Sequence, residues 1–274
     1  MKFGSITTGI IADGLVFNID AANRASYVPN TTTSYNTIDL SQSGSLVNNP
    51  TYISPPTSAS CWNFDGVDDY VDCGDFSAYD NGDLSVSVWV KKSSMQTFEY
   101  VVSNCGSSAR AGFDIIFENA YRRLSISRRT RTSDTVTAYL DIGFTLNTWH
   151  NISFTYKDST RTLKVYRDGI LQSTTTGSAS TNSASLNLTI GSYQGSSNFD
   201  IGNIDEVAIF NSELSSSDIT DIYNSGTPLS LDDYSPVGWW RFEEGSGTTA
   251  TDEGSGGNDG TLVNGTAYST DVPT

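Results

Sequence analysis

The stretch Leu84-Ser85-Val86-Ser87-Val88-Trp89-Val90 alternates strictly, and every even-numbered residue in it is aliphatic. Successive side chains of a β-strand point to opposite faces, so this pattern predicts a strand with one apolar face. Similar alternating segments follow at short intervals, separated by turns rich in Gly, Ser and Asp, at 152–156, 163–167, 186–191 and 204–210. Strands spaced in this way indicate an antiparallel β-sandwich or jelly roll.

The composition agrees with an almost entirely β chain. The 14 Tyr, 12 Phe and 5 Trp favour half-buried sheet surfaces. A length of 274 residues suits one large β domain, or one domain with an added fragment. One short helix is the exception, because Ser215-Ser216-Ser217-Asp218 has the spacing of a capping box and predicts a helix over roughly 216–224.

The charge and hydropathy of the chain exclude several classes of function. A formal net charge of −16 argues against nucleic-acid binding, because phosphate neutralisation needs a basic surface. The single histidine leaves little material for His-based catalysis or a zinc cage. No apolar run approaches the length of a membrane span, and the N-terminal residues do not have the pattern of a signal peptide.

Within this acidic chain, five arginines lie close together, at Arg122, Arg123, Arg128, Arg129 and Arg131. Strand geometry predicts that Arg123, Arg129 and Arg131 share one face and form a positive patch. Such a patch suits an acidic neighbour, including another copy of this chain, or an anionic polysaccharide. The alternative is a solvated strand that pairs with the chain's own aspartates.

The three cysteines are Cys61, Cys73 and Cys105, and an odd number does not form a disulfide framework. Cys61 and Cys73 flank a predicted hairpin of 61–64 and 70–73. If Phe64 pairs with Tyr70, the two thiols face each other at a distance that permits a disulfide. The alternative is two reduced, small apolar residues, which a cytoplasmic chain favours.

An internal repeat suggests how the chain is divided. Residues 44–52 and 260–268 are identical at five of nine positions, and a similar strand precedes each of them, at 14–20 and 238–244. We therefore predict an N-terminal arm at 1–13, a jelly-roll domain at 14–235, and a C-terminal segment at 236–274 that resembles the start of a second copy. That segment cannot bury its own face, so it packs on its own sandwich, docks on a neighbouring subunit or is disordered, and its aromatic residues Trp239, Trp240 and Phe242 disfavour disorder.

The ordered set of segments resembles the laminin-G-like, concanavalin A-like jelly-roll family, which includes the pentraxins. The resemblance covers about 14–226 and rests on Phe64-Asp65-Gly66-Val67-Asp68-Asp69-Tyr70-Val71, on 84–90, 149–156, 163–169 and 204–210, in that order. It implies an all-β antiparallel sandwich with one short helix. The segments 14–23 and 238–242 also resemble a subset of this family that phages encode and that occurs in virion structural proteins.

Catalysis is not expected. Glycosidases need two carboxylates on one concave face, and the related glucanases supply them in a Glu-x-Asp-x-x-Glu pattern that this chain lacks. Asp205 and Glu206 are adjacent, so in a regular strand they point to opposite faces. His150 follows Trp149 in a motif that the family uses structurally.

Two kinds of binding site are candidates. Calcium takes clustered oxygen ligands, for which Asp65, Asp69 and Asp205 are the candidates; the alternative is that these carboxylates cap turns or are buried structural groups. Glycan binding needs aromatic, amide and charged groups together, and the candidates are Asn104, Arg110, Tyr193, Gln194 and Asn198. The alternative is that these residues form ordinary polar connections.

These features lead to one functional prediction and one alternative. We expect a non-enzymatic phage virion structural protein, either a capsid decoration protein or a fibre module, made in the host cytoplasm. Its expected partners are other virion proteins, copies of itself and cell-surface polysaccharide, with neither nucleic-acid binding nor membrane insertion. The alternative is a carbohydrate-binding module or lectin, in which Ca²⁺ is a candidate cofactor.

Overall fold

The computed structural model describes residues 33–35, 43–45, 60–105, 112–119, 123–129, 135–141, 144–177 and 186–273. The chain divides into two compact units, residues 1–57 and 58–274. In the first unit, β1 (Thr33–Tyr35) and β2 (Ser43–Ser45) pair in antiparallel fashion. The predicted strand at 14–20 and the predicted arm at 1–13 lie outside the described residues.

The described part of the second unit consists of strands and one α-helix. In chain order the strands are β3 (Cys61–Asp65), β4 (Tyr70–Asp75), β5 (Leu84–Lys92), β6 (Glu99–Ser103), β7 (Gly112–Glu118), β8 (Arg123–Arg129), β9 (Thr135–Asp141), β10 (His150–Lys157), β11 (Thr162–Arg167), β12 (Ile170–Thr176), β13 (Asn187–Ile190), β14 (Ile201–Phe210), β15 (Gly238–Trp240), β16 (Thr249–Ala250), β17 (Gly260–Val263) and β18 (Ala267–Ser269). The helix α1 (Ser216–Tyr223) follows β14.

The strands form two antiparallel sheets. Sheet I has the order β12-β11-β10-β5-β14-β3-β18, and β15 also pairs with β14. Sheet II has the order β16-β17-β4-β13-β6-β7-β8-β9. In the middle of each sheet the neighbouring strands are distant in sequence, as in β10-β5-β14-β3 and β17-β4-β13-β6, which is the arrangement of a jelly roll and not of a simple meander.

The core lies between the two sheets. Leu84, Val86, Val88 and Val90 of β5 are all fully buried, as their alternation predicts. The rings of Phe113 in sheet II and Phe154 in sheet I lie 5.6 Å apart between centroids, so side chains from the two sheets meet directly. The prediction of an all-β sandwich is therefore confirmed.

The predicted hairpin of 61–64 and 70–73 is wrong. β3 pairs with β14 and β18 in sheet I, whereas β4 pairs with β13 and β17 in sheet II. The turn between them crosses from one sheet to the other, because Trp62 and Val71 each have to enter the same core from opposite sides. Cys61 and Cys73 are buried free thiols, and burial raises the pKa of Cys61 to about 12.

The helix α1 begins with the predicted capping box. Ser215 Oγ accepts a hydrogen bond from the Asp218 amide at 3.1 Å, and Asp218 Oδ2 accepts one from the Ser215 amide at 2.8 Å. Each partner satisfies a backbone donor that the first helical turn would otherwise leave free. Ile219 and Ile222 are buried on the outer side of sheet I, in a second apolar cluster completed by Tyr166, Ala208, Phe210, Leu214, Leu231 and Trp239.

The C-terminal strands pair with both sheets of their own unit. β15 pairs with β14 and β18 pairs with β3 in sheet I, while β17 pairs with β4 in sheet II. Phe242 stacks on Trp62 in the core, with ring centroids 3.7 Å apart. The strands β15 and β17 of the C-terminal segment thus pair with β14 and β4 of the same chain. The division of the chain at 13/14 and 235/236 stays a prediction.

Candidate functional site

The acidic turn between β3 and β4 brings two of the three predicted metal ligands together. One carboxylate oxygen each from Asp65, Asp68 and Asp69 lies within 4.8 Å of the others. Asp65 Oδ1 accepts from the Val67 amide at 2.7 Å, and Asp69 Oδ2 accepts from the Asp65 amide at 3.2 Å. These are the turn-capping bonds of the alternative interpretation. Burial raises the pKa of Asp69.

The third predicted ligand, Asp205, lies elsewhere, in a β-bulge of β14. Asp205 is opposite Trp89 of β5, but Ala208 is opposite Ser87, so one residue of β14 is extra. Glu206 at this point has a φ of +47°. The regular alternation that would send 205 and 206 to opposite faces therefore does not hold here, because a bulge interrupts the period of two.

The two carboxylates at the bulge are buried. Asp205 Oδ1 accepts from the Glu206 amide, and Glu206 Oε2 accepts from Trp239 Nε1 at 2.7 Å. Burial raises the pKa of Asp205 well above its usual value and raises the pKa of Glu206 to about 7. The cavity beside Glu206 has a volume of only about 10 Å³, which is about the space of one water and leaves no room for a sugar.

The predicted glycan-binding residues lie in different parts of the structure and differ in burial. Tyr193, Gln194 and Asn198 lie on the loop between β13 and β14, where the Tyr193 and Tyr100 rings are 4.9 Å apart. Asn198 is exposed and has a φ of +53°. Asn104 is buried, and its side-chain amide binds Asp80 and the backbone amide of Phe113. Arg110 lies outside the described residues.

The predicted arginine patch is described only at Arg123. Its guanidinium lies over the ring of Tyr139 at 3.8 Å and forms an ion pair with Glu118 at 2.8 Å. The backbone of Arg129 is in β8, six residues after Arg123, but its side chain and all of Arg131 lie outside the described residues. In its described part, the patch is an internally paired surface.

A cleft on the outer side of sheet I was not predicted. Its volume is about 460 Å³, within the range of about 300–1,000 Å³ that is usual for small-molecule sites. The end of β5, the segment before β10, the β11–β12 turn and the end of α1 meet there. The lining residues are Trp89, Asn147, Thr148, Trp149, His150, Asp168, Tyr223 and Gly226. We call this feature the 147–226 cleft.

One wall of the 147–226 cleft is held by a His–Asp pair. His150 Nδ1 donates to Asp168 Oδ2 at 2.9 Å, and Asp168 Oδ1 accepts from the Asn151 amide at 3.0 Å. The Asp168 amide in turn donates to the Asn151 carbonyl at 2.9 Å. Both oxygens of Asp168 are thus engaged, and the wall is fixed in one geometry.

A second part of the lining, which we call the aromatic wall, consists of the half-buried ring of Tyr223 and the ring of Trp89, which is only 3% exposed. The ring of Tyr223 is stacked with that of Trp89, at 5.8 Å between centroids and 24° between planes. Tyr223 also lies against Gly169, where an added Cβ would come within 3.0 Å of the ring. Gly169 therefore serves both the turn after β11, with a φ of +73°, and the close approach of α1.

The rim of the 147–226 cleft carries polar side chains that make no hydrogen bond to the described residues. The side chains of Asn147 and Thr148 are exposed, and no hydrogen bond joins either of them to the described part of the chain. Asn147 is nevertheless fixed through its backbone, with a φ of +59° and an amide that donates to the Lys92 carbonyl at 2.8 Å. Aromatic surface with a few convergent polar groups is the composition of a site for a small polar ligand.

The fold and the comparisons agree on the family. Residues 65–220, more than half of the chain, match the family described as the concanavalin A-like lectin/glucanases superfamily. The chain belongs to this superfamily. A search of curated proteins finds no match.

Several solved structures are similar to this chain at low sequence identity. A "putative carbohydrate binding protein" from Bacteroides ovatus is 14% identical with a TM-score of 0.57; the match covers 78% of this chain and 61% of that chain. The chain thus spans less than two thirds of that relative. A SAP-like pentraxin from Limulus polyphemus is 14% identical (TM-score 0.48, covering 61% and 82%). The CBM40 of a Ruminococcus gnavus sialidase is 13% identical (TM-score 0.48, covering 59% and 96%).

No helix in the described part of the chain combines the length and the apolar character that a membrane crossing requires.

Proposed function

We propose that this chain is a non-catalytic carbohydrate-binding domain and that the 147–226 cleft is its binding site. The observation that carries the proposal is the pairing of the half-buried Tyr223 ring, which stacks on the buried Trp89, with the exposed side chains of Asn147 and Thr148 on one concave surface. Family membership and the described role of the Bacteroides ovatus protein support the same class of ligand.

The physical basis is the two-sided chemistry of a sugar ring. A pyranose offers a face of C–H groups and an edge of hydroxyl groups. Aromatic rings provide large, rigid surface for the first, and amide and hydroxyl groups provide hydrogen bonds for the second. The fixed backbone of Asn147 and the fixed His150–Asp168 pair mean that little conformational freedom is lost when a ligand binds, which favours affinity.

The described carboxylates support binding without bond cleavage. Glycoside hydrolysis needs a pair of carboxyl groups that flank the scissile bond, roughly 5–10 Å apart. The lining of the 147–226 cleft includes one carboxylate, Asp168, whose two oxygens are engaged. The buried pair Asp205 and Glu206 borders a cavity too small for a sugar.

The location of the chain on a phage particle is a separate proposal, supported by the resemblance of 14–23 and 238–242 to virion proteins. On a particle, the domain would bind a cell-surface polysaccharide, and Arg123, Arg129 and Arg131 would contact an acidic virion protein. Mass spectrometry of purified particles tests this location. Recovery of the chain only from the unassociated protein of infected cells would overturn it.

Two matched substitutions test where the saccharide binds. Asn147 and Asn198 are both exposed and both have a φ between +53° and +59°, so glycine replaces either one without backbone strain. On a glycan array, we expect Asn147→Gly to weaken binding about threefold to tenfold, the value of one lost hydrogen bond, and Asn198→Gly to leave it unchanged.

A third variant tests the aromatic wall. Tyr223→Ala removes the ring that faces the ligand, and the loss should exceed about tenfold, as for other buried aromatic contacts. Circular dichroism checks that each variant is folded. Failure of the wild-type chain to bind any saccharide on the array would overturn the proposed function. Loss of binding in Asn198→Gly alone would move the site to the predicted 193–198 loop.

A further inference from the structure

We propose that the 147–226 cleft selects neutral saccharides and binds them without calcium. This inference rests on the proposed function and adds to it the chemical class of the ligand. It concerns the charges that surround the cleft, which are independent of the aromatic wall that carries the proposed function.

Among the described residues, the lining of the cleft has no group that could neutralise an acidic sugar. None of the lining residues is Lys or Arg, and the only one able to become cationic, His150, is already paired with Asp168 at 2.9 Å. A uronate or sialate carboxylate would instead meet the carboxylate of Asp168, whose side chain is 26% exposed. Two negative charges brought close together repel each other, which disfavours the binding of an acidic sugar.

The helix α1 adds to this negative potential. It runs from Ser216 to Tyr223, so its C-terminal end, with its partial negative charge, is at the cleft. Asp221, in the last turn of the helix, is exposed. The net charge of −16 acts in the same direction over longer distances.

Calcium could bridge a sugar to an acidic surface, but the described lining of the cleft does not offer the ligands that this ion needs. Ca²⁺ takes six to eight oxygens, commonly with several carboxylates among them. The lining supplies one carboxylate, and both of its oxygens accept hydrogen bonds from His150 and Asn151. The acidic cluster of Asp65, Asp68 and Asp69 contributes no residue to the lining. Hydrogen bonds and aromatic contact are therefore the means of binding at this site.

The experiment compares neutral and acidic polysaccharides in native affinity electrophoresis. The neutral probes are dextran, mannan, β-1,3-glucan and β-1,4-galactan; the acidic probes are polygalacturonate, alginate, hyaluronate and polysialic acid. Each gel is run with excess EDTA and with added CaCl₂. We expect retardation by at least one neutral probe, the same in EDTA and CaCl₂, and none by the acidic probes.

The outcomes separate the inference from the proposed function. Binding to acidic probes alone, or binding that EDTA abolishes, would overturn the inference while leaving carbohydrate binding intact. Binding to no polysaccharide at all would overturn the proposed function itself.

A charge substitution tests the reason for the selectivity. Thr148→Arg places a cation on the exposed rim and should create binding to acidic probes at least about fivefold above that of the wild-type chain. Thr160→Arg is the matched control, because Thr160 is exposed, is not part of the lining, and changes the net charge equally. An equal gain in both variants, or none in Thr148→Arg, would contradict the charge argument.

Discussion

Two sets of paired charged side chains, the Lys92 cluster and the His150–Asp168 pair, lie at the same end of sheet I and differ in their access to solvent. Lys92, at the end of β5, lies 2.6 Å from Asp200 and 3.3 Å from Glu99, and all three side chains are fully buried. The His150–Asp168 pair, at the start of β10 and after β11, is 13% and 26% exposed. The backbone of Asn147 connects the two regions through its hydrogen bond to Lys92.

The difference separates a stabilising role from a binding role. The Lys92 cluster has no route to a ligand, and its two carboxylates share one ammonium group, so burial raises the pKa of Asp200 and raises the pKa of Glu99 to about 7. The His150–Asp168 pair costs less desolvation and leaves the neighbouring aromatic and amide groups open. Loss of one partner from the buried cluster should therefore destabilise the fold, whereas the pair at the edge shapes a surface.

The largest effect is expected when the buried cluster loses its cation. Lys92→Met keeps the side-chain volume but leaves Glu99 and Asp200 buried without a counter-charge, and we expect the free energy of unfolding to fall by about 3–5 kcal/mol. Urea denaturation measures it. The neighbouring Lys91 forms an exposed ion pair with Asp271, so Lys91→Met should cost less than about 1 kcal/mol. Equal losses in the two variants would refute the contrast between the two lysines.

The pH dependence of stability should show the same cluster. The pKa of Glu99 in the folded chain, about 7, is above its ordinary value of 4.5, so the folded state holds this proton to higher pH than the unfolded state. The stabilisation from this proton is complete below about pH 4.5 and is lost as the pH rises through about 7.

Glu99→Gln removes this titration, so its free energy of unfolding should fall less than that of the wild-type chain between these two pH values. Urea denaturation at several pH values measures the difference. Because the pKa of Glu206 is also raised to about 7, the free energy of unfolding should still decrease in part with pH in both proteins. The control is Glu213→Gln, which alters a partly exposed pair with Lys164. Parallel curves for wild-type and Glu99→Gln would show that Glu99 is not the titrating group.

A much smaller effect on stability than that of Lys92→Met is expected at the cleft. Asp168→Asn keeps an acceptor for the Asn151 amide and tolerates the φ of +52°, but it weakens the charge-assisted bond to His150. We expect a loss of about 1 kcal/mol in the free energy of unfolding, together with weaker saccharide binding. A loss as large as that of Lys92→Met would mean that the cleft pair is as important to the fold as the buried cluster.

The local sequence patterns, alternation in strands and capping at the helix, predicted the class of fold. The alternation of 84–90 places four side chains in the core, and Ser215 and Asp218 begin a helix as their spacing indicates. These features depend on neighbours a few residues apart, so one chain segment contains all the information that is needed.

The errors all involve partners that are distant in sequence. The hairpin of 61–64 and 70–73 failed because strands of opposite sheets have the same alternation as strands of one hairpin. The bulge at Asp205 and Glu206 is decided by β14 pairing with β3 and β15 on one side and with β5 on the other. Periodicity does not report which strands become neighbours.

For the candidate site, the sequence alone supplied the individual components: Trp149-His150, the turn at Asp168-Gly169, and the helix that ends with Tyr223. Only the tertiary structure brought them together, because β5, β10, β11 and α1 meet at one end of sheet I through pairing and packing. The sequence determined the class of fold, since alternation and capping are local. The tertiary structure decided the position of the cleft, since a concave surface requires side chains from segments that the chain alone does not place side by side.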